Sequence, residues 1–254
     1  MERVKTGIKG LDEMLCGGFL PQSANLVEGA PGTGKTTLGM QFIYTGITQF
    51  DEPGLIITFE EFSQQYYHDA AAFGWDFEKL EKEGKLKVIM TSPEVSRLDL
   101  ESVGGMIETH AAKMGARRVL IDSITHFERL SQDPVELRSL EYSFINGLKR
   151  EGLTSLLTRE TSALLGEASE GGSRIAFMAD AYIVLRYVEI ESTIRKALLV
   201  LKVRGSDHDK DIRQFEITDH GIEVHSKFEG REGIMSGSPR RSMSDSFVEA
   251  FVKH

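Results

Sequence analysis

Gly29-Ala30-Pro31-Gly32-Thr33-Gly34-Lys35-Thr36-Thr37 is the stretch on which the reading of this chain turns. It fits G-x-x-x-x-G-K-[ST], with Gly29, Gly34, Lys35 and Thr36 on the four constrained positions. A polyphosphate must be approached by successive backbone N–H groups, and Cβ atoms would obstruct both the approach and the dihedrals it needs. Lys35 supplies a mobile ammonium for the β- and γ-phosphates, and the Thr36 hydroxyl is the expected Mg²⁺ ligand. Residues 29–37 are therefore the candidate nucleotide cradle.

Working outward, residues 22–28 have the composition of a strand, and Lys35 to Phe50 carries Leu38, Phe42, Ile43 and Ile47 at helical spacing. Strand, loop and helix in that order aim a helix N-terminus at the phosphates. The implied ligand is a nucleoside triphosphate with Mg²⁺. ATP is expected over GTP, because no Asn-Lys-x-Asp base-reading motif follows later in the chain.

Apolar, β-branched runs recur at Leu55–Phe59, Leu86–Met90, Val119–Ile121, Thr154–Leu157 and Tyr182–Leu185, separated by amphipathic stretches such as Leu98–Met114 and Pro134–Lys149. Alternation of this kind predicts an α/β fold, a mostly parallel central sheet with helices on both faces. From Val184 onward, Ile183–Ile190, Ala197–Arg204, Ile212–Ile217 and Ile222–Val224 follow one another with only short turns between them, which predicts an antiparallel C-terminal extension. Past Phe228 the chain turns rich in Gly, Ser and Pro. Residues 1–228 are thus expected to form one domain, and 229–254 a tail that is either disordered to its end or closed by a short amphipathic helix around Phe247, Val248 and Phe251.

With 254 residues the chain can bury a full core. No apolar run approaches the ~20 residues of a membrane helix, and Cys16 is the sole cysteine, so a reducing cytoplasm is the expected setting. The net charge of −9 disfavours constitutive nucleic-acid binding, since phosphate backbones repel an acidic surface unless basic residues are focused on one face. Arg117-Arg118 and Arg240-Arg241 are the longest basic runs that could do so. Trp75, between Phe73 and Phe77, reads as a core anchor rather than a base-stacking platform. The seven histidines have no metal-ligand spacing.

A triphosphatase also needs a metal-anchoring acid and a group that activates water. Residues 117–123, Arg-Arg-Val-Leu-Ile-Asp-Ser, place Asp122 at the C-terminal end of an apolar strand, where ligands of open parallel sheets bind. It is the expected metal-side aspartate. Glu60 and Glu61 follow Leu-Ile-Ile-Thr-Phe at the end of another strand. Strand alternation would turn one toward the γ-phosphate and the other away, and one of the two is the candidate general base.

These motifs, with Thr6-Gly7-Ile8-x-Gly10-Leu11-Asp12, Gly17-Gly18-Phe19-Leu20 and residues 202–208 (Lys-Val-Arg-Gly-Ser-Asp-His), resemble the KaiC family within the RecA/RadA superfamily of ATPases. The likeness runs from about Thr6 to Val224, and this sequence carries one copy where the clock protein has two in tandem. The resemblance implies a RecA-like P-loop core and makes Glu60 and Glu61 the catalytic glutamate pair. It also implies that Lys202 and Arg204 reach the γ-phosphate of ATP held by a neighbouring subunit. His208, Lys210 and Asp219 match the region near the nucleotide base and sugar. Head-to-tail subunits in a hexameric ring follow from the same likeness, together with a protein partner that the sequence does not name.

Two departures qualify it. Where the second clock domain has adjacent Ser and Thr phosphate acceptors, this chain has Ala176 and Phe177, so clock-type autophosphorylation is not expected. Ser173 and the tail serines are the acceptors left. The alternative is a RadA-like recombinase paralogue that binds DNA with ATP. The stretch where recombinases contact DNA carries Glu167 and Glu170 here and no basic residue before Arg174, which weakens that reading.

Overall fold

The computed structural model describes residues 2–102, 104–161, 174–228, 231–232 and 240–241. In chain order the elements are α1 (Leu11–Met14), β1 (Ala24–Gly29), α2 (Lys35–Phe50), β2 (Gly54–Thr58), α3 (Ser63–Ala71), α4 (Phe77–Lys82), β3 (Leu86–Met90), α5 (Pro93–Glu101) and α6 (Met106–Met114). Then come β4 (Arg118–Asp122), a 3₁₀ turn (Ile124–Arg129), α7 (Pro134–Arg150), β5 (Thr154–Glu160), α8 (Arg174–Met178), β6 (Ala181–Ile190), β7 (Thr193–Val203), β8 (Arg213–Thr218) and β9 (Gly221–Lys227). Arg231–Glu232 pairs antiparallel with Arg240–Arg241. Otherwise the expected tail, including Phe247, Val248 and Phe251, lies outside the described residues, as do Glu167, Glu170 and Ser173.

One sheet holds β1 to β9 in the order β3-β2-β4-β5-β1-β6-β7-β8-β9. The first five junctions are parallel and the last three antiparallel, as the sequence pattern predicts. Both faces of the parallel part are covered, and every residue of β1 and β2 is buried, Asn25 and Glu28 of β1 included. Strand alternation then splits neighbours between layers. Val27 and Leu156 join Leu38, Phe42 and Ile43 of α2 under one face. Leu26 and Leu157 join Phe144 and Leu148 of α7 under the other. Trp75 is a core residue, 4% exposed and stacked against Tyr44 and Phe73.

The amphipathic stretch Leu98–Met114 is two helices rather than one. Gly104, at φ +75°, breaks it, and both Asp99 carboxylate oxygens accept the opening N–H groups of α6, from Met106 and Ile107. Asp99 supplies locally what a continuing helix would have supplied by itself.

Arg118 overturns half of one basic run. Its side chain is fully buried, with Nε 2.6 Å from Glu52 Oε2, one terminal nitrogen donating to Phe42 O at 3.0 Å, and the guanidinium 4.6 Å from the Phe42 ring. A Cβ on Gly46 would sit 2.4 Å from this side chain, so glycine there makes room for it. An unpaired charge at such depth costs several kcal/mol, and Glu52 removes that cost. Arg118 is thus a core residue and offers nothing to a phosphate backbone.

Candidate active site

Hydrogen-bonded neighbours bring four strand ends together. Gly29 of β1 is level with Glu160 of β5, and Thr58 of β2 with Asp122 of β4. The cradle 29–37 therefore opens beside Asp122 and just past the end of β2, at the C-terminal edge of a parallel sheet.

Within the cradle, Gly29 has no room for a side chain, because a Cβ would lie 2.6 Å from Thr33 Oγ1 and 2.8 Å from Leu185 O. Ala30 is buried and its carbonyl accepts from the Thr33 hydroxyl at 2.8 Å, while Pro31 and Gly32 are exposed. Gly34 precedes α2 at φ +104°, a left-handed conformation that disfavours any other residue. Thr36 and Thr37 occupy the first turn of α2, both half-buried. Lys35 is 7% exposed, with Nζ 3.1 Å from Ala30 O and 3.9 Å from Glu160 Oε1. Burial pulls its pKa down, and the nearby charges of Glu160 and Asp122 offset part of that pull.

Asp122 is oriented from two sides. Tyr66 OH donates to Oδ2 at 2.8 Å and the Thr158 hydroxyl donates to Oδ1. Burial first, then the Asp122 charge, drives the Tyr66 pKa upward, which keeps this phenol a proton donor. Among the described residues no three His, Cys, Asp or Glu side chains converge as a metal cage. A hydroxyl and a single carboxylate suit Mg²⁺, which takes hard oxygen donors, keeps waters and leans on substrate phosphates. Thr36 and Asp122 fit such an ion.

The glutamate pair departs from the strand picture. β2 ends at Thr58, and the Glu61 N–H donates to Thr58 Oγ1 at 3.2 Å, so a turn rather than the pleat separates the two carboxylates. Glu60 Oε1 lies 3.3 Å from His126 Nε2 and 3.6 Å from an Arg129 nitrogen, both in the 3₁₀ turn after Asp122. Glu61 feels burial, then Asp122, Asp69 and Glu60, and all four raise its pKa. The folded chain therefore holds the Glu61 proton more tightly than the unfolded chain does. Ionising it costs stability, and that cost is absent below the unfolded carboxyl pKa and full above the folded one. We expect Glu61→Gln to melt higher than wild type at pH 8, with the difference closing by about pH 4. Melting curves across that range are the check, and a glutamine variant that melts lower at pH 8 contradicts the assignment.

Lys202 and Arg204 are not part of this cluster. Leu185 is level with Gly29, Leu198 opposes Leu185, and Val203 opposes Ala181. The pair thus sits roughly 10–16 Å back along the strands from Gly29, at the opposite end of the sheet. There Lys202 Nζ donates to Ala176 O at 2.7 Å and Arg204 to Phe177 O at 3.0 Å. Asp219 lies on the cradle side, in the β8–β9 turn, and the paired strand residues Ile217 and Ile222 that flank this turn approach Gly34. His208 and Lys210 belong to the β7–β8 loop, where Lys210 pairs with Asp207 and the neighbouring Asp209 N–H donates to Met14 O. The structure does not bring these two to the cradle.

Several residues here escape sequence reasoning. Glu160 was hidden because the Thr154–Leu157 run understates β5 by three polar residues. Tyr187 and Lys196, whose side chains donate to Pro31 O at 3.4 Å and Gly32 O at 3.0 Å, reach the loop only through the β6–β7 hairpin. His126 and Tyr66 carry no motif.

A family model described as "ATPase: KaiC" matches residues 4–229. The circadian clock oscillator protein KaiC of Thermostichus vulcanus is 38% identical over 247 residues, 97% of this chain and 47% of that protein. The proteins of the same name from Nostoc sp. and Synechococcus elongatus are 36% and 38% identical over 247 and 229 residues, 97% and 87% of this chain and 47% and 44% of theirs. This chain spans about half the length of the relatives it matches. With a P-loop at the edge of a RecA-like sheet and this extent of identity, the chain belongs to the KaiC family of ATPases.

Proposed function

We propose that the protein hydrolyses ATP with Mg²⁺ at the interfaces of a ring of identical subunits, one subunit giving the cradle and the next giving Lys202 and Arg204. The observation that carries this reading is the separation of Lys202 and Arg204 from Gly29 along the sheet of a single chain. A second copy set head to tail supplies that end of the sheet to the cradle, and a closed ring satisfies every interface.

Residues 29–37 would hold the triphosphate, Thr36 and Asp122 the Mg²⁺, and Asp219 the nucleoside side. His208 and Lys210, on the far loop, would then serve the neighbour's nucleotide. The ion would neutralise charge on the phosphates. Water loses a proton to Glu60 or Glu61 as its oxygen bonds to the γ-phosphorus, and the bond from that phosphorus to the β–γ bridging oxygen breaks, leaving ADP and phosphate. Ala176 and Phe177 have no hydroxyl to compete with water, so phosphate transfer to those two positions is not expected. The remaining role is a conformational switch read by a protein partner, with residues 229–254 as a tail outside the ATPase domain, and Cys16 as the only cysteine accords with the cytoplasm. The acidic charge argues against the DNA-binding alternative.

Sizing with and without ATP and Mg²⁺ tests the proposal. A hexamer-sized species that requires nucleotide and carries all the turnover is expected; a monomer with full turnover defeats it.

A further inference from the structure

Glu60 leaves the end of β2 with a side chain that is 61% exposed, so packing does not fix its carboxylate. A base with that freedom spreads over several rotamers, and only the fraction aimed at the water acts. Its neighbour is of the opposite kind. The His126 side chain is 11% exposed and meets the Phe59 ring edge-on at 6.1 Å. The turn that carries it is tied to the frame of the cradle: the Thr125 N–H donates to Ser123 Oγ at 3.2 Å, and Thr125 Oγ1 accepts the Glu160 N–H at 2.9 Å. Glu160 is the residue level with Gly29. His126 is therefore held in register with the P-loop by β5. Both the 3.3 Å contact from His126 and the 3.6 Å contact from Arg129 fall on the same oxygen, Oε1.

We propose that His126 is a positioning residue for Glu60, holding Oε1 so that Oε2 faces the attacking water. This rests on reading Glu60, of the glutamate pair, as the base. His126 rather than Arg129 has this role, because the Arg129 side chain is 72% exposed and its ion pair is screened by solvent. A rigid, nearly buried imidazole restricts the carboxylate without a cost in its own conformational entropy. Among the described residues the contacts of the His126 imidazole and the Glu60 carboxylate do not reach residues 29–37 themselves, so the effect belongs to the chemical step and not to ATP binding.

The test is steady-state ATP hydrolysis with Mg²⁺ by the full chain, comparing His126→Ala, His126→Gln, Arg129→Ala, Glu60→Gln and the double variant of Glu60→Gln with His126→Ala. His126→Ala should lower kcat about 10- to 100-fold and leave KM for ATP within about twofold, the range a misplacement of about 1 Å produces. Glutamine keeps an N–H donor at similar reach and should recover kcat to within about threefold, while Arg129→Ala should cost less than about threefold. The double variant should be no slower than Glu60→Gln alone, since an orienting residue has nothing to orient. The inference fails if His126→Ala keeps kcat within about twofold, if alanine and glutamine are equally slow and melt equally low, or if the two substitutions slow turnover additively. An active Glu60→Gln would remove the reading of Glu60 itself. An inactive Glu60→Gln beside a normal His126→Ala removes only the role of His126.

Discussion

Lys35→Met should abolish ATP-dependent stabilisation and cut hydrolysis to below about 1% of wild type, while the nucleotide-free protein melts no lower than before. The Lys35 side chain is 7% exposed, and without phosphate its partners are Ala30 O at 3.1 Å and Glu160 at 3.9 Å. Burial depresses its pKa, which means that the folded state disfavours the ammonium. For a lysine with a lowered folded pKa the cost is present below that pKa and vanishes above the unfolded value. Methionine has similar length and no charge, and it removes this cost. Bound phosphates convert the same buried charge into an attraction. Thermal melting with ATP and Mg²⁺ reads the binding half: a ligand at 100 times its Kd stabilises by about 2.7 kcal/mol, and the variant should show almost none of it. Phosphate release reads the other half. If the variant kept more than about a tenth of wild-type turnover, the cradle would not be the hydrolytic site.

Arg204→Ala should lower turnover about 10³-fold, the lower end of what an arginine supplied in trans contributes, with little loss of stability. The side chain is 59% exposed and its contact with Asp180 is a long 3.9 Å, so solvent screens that pair. The sharper expectation concerns mixtures. Lys35→Met subunits keep a normal Arg204 but a dead cradle, and Arg204→Ala subunits have the reverse. Mixed and reassembled one to one, about a quarter of the interfaces should join an intact cradle to an intact arginine, and activity should return well above either parent. Mixed rings that form and stay inactive would mean that Arg204 acts within its own chain, against the strand register that places it at the far end of the sheet.

Much of the fold was legible because buried parallel strands have a strong signature. The runs around Ile56, Leu120 and Leu156 are apolar on both faces, and only a doubly covered sheet asks for that. Lys35–Phe50 was legible as a helix to the residue, since Gly34 starts it and the apolar spacing persists through Ile47. The break at Gly104 was less so, because the amphipathic pattern continues across it and the capping carboxylate, Asp99, lies upstream of the break.

The site divides along the same line. Gly29, Gly34, Lys35 and Thr36 were readable because phosphate recognition works through local backbone, and a local conformation leaves a local motif. Asp122 was readable because it ends an apolar strand. Contacts made by Tyr66, His126 and Glu160 join residues that are 56, 66 and 125 positions apart, from Tyr66 to Asp122, Glu60 to His126 and Lys35 to Glu160. Nothing in a linear pattern records such pairs. By itself, then, the sequence determined that a P-loop motif sits on an α/β sheet, through periodicity and nine consecutive residues. The tertiary structure alone decided which strand ends meet, which glutamate faces His126 and that Lys202 and Arg204 stand away from their own cradle. Strand order and register decide those matters, and both arise from packing between segments distant in the chain.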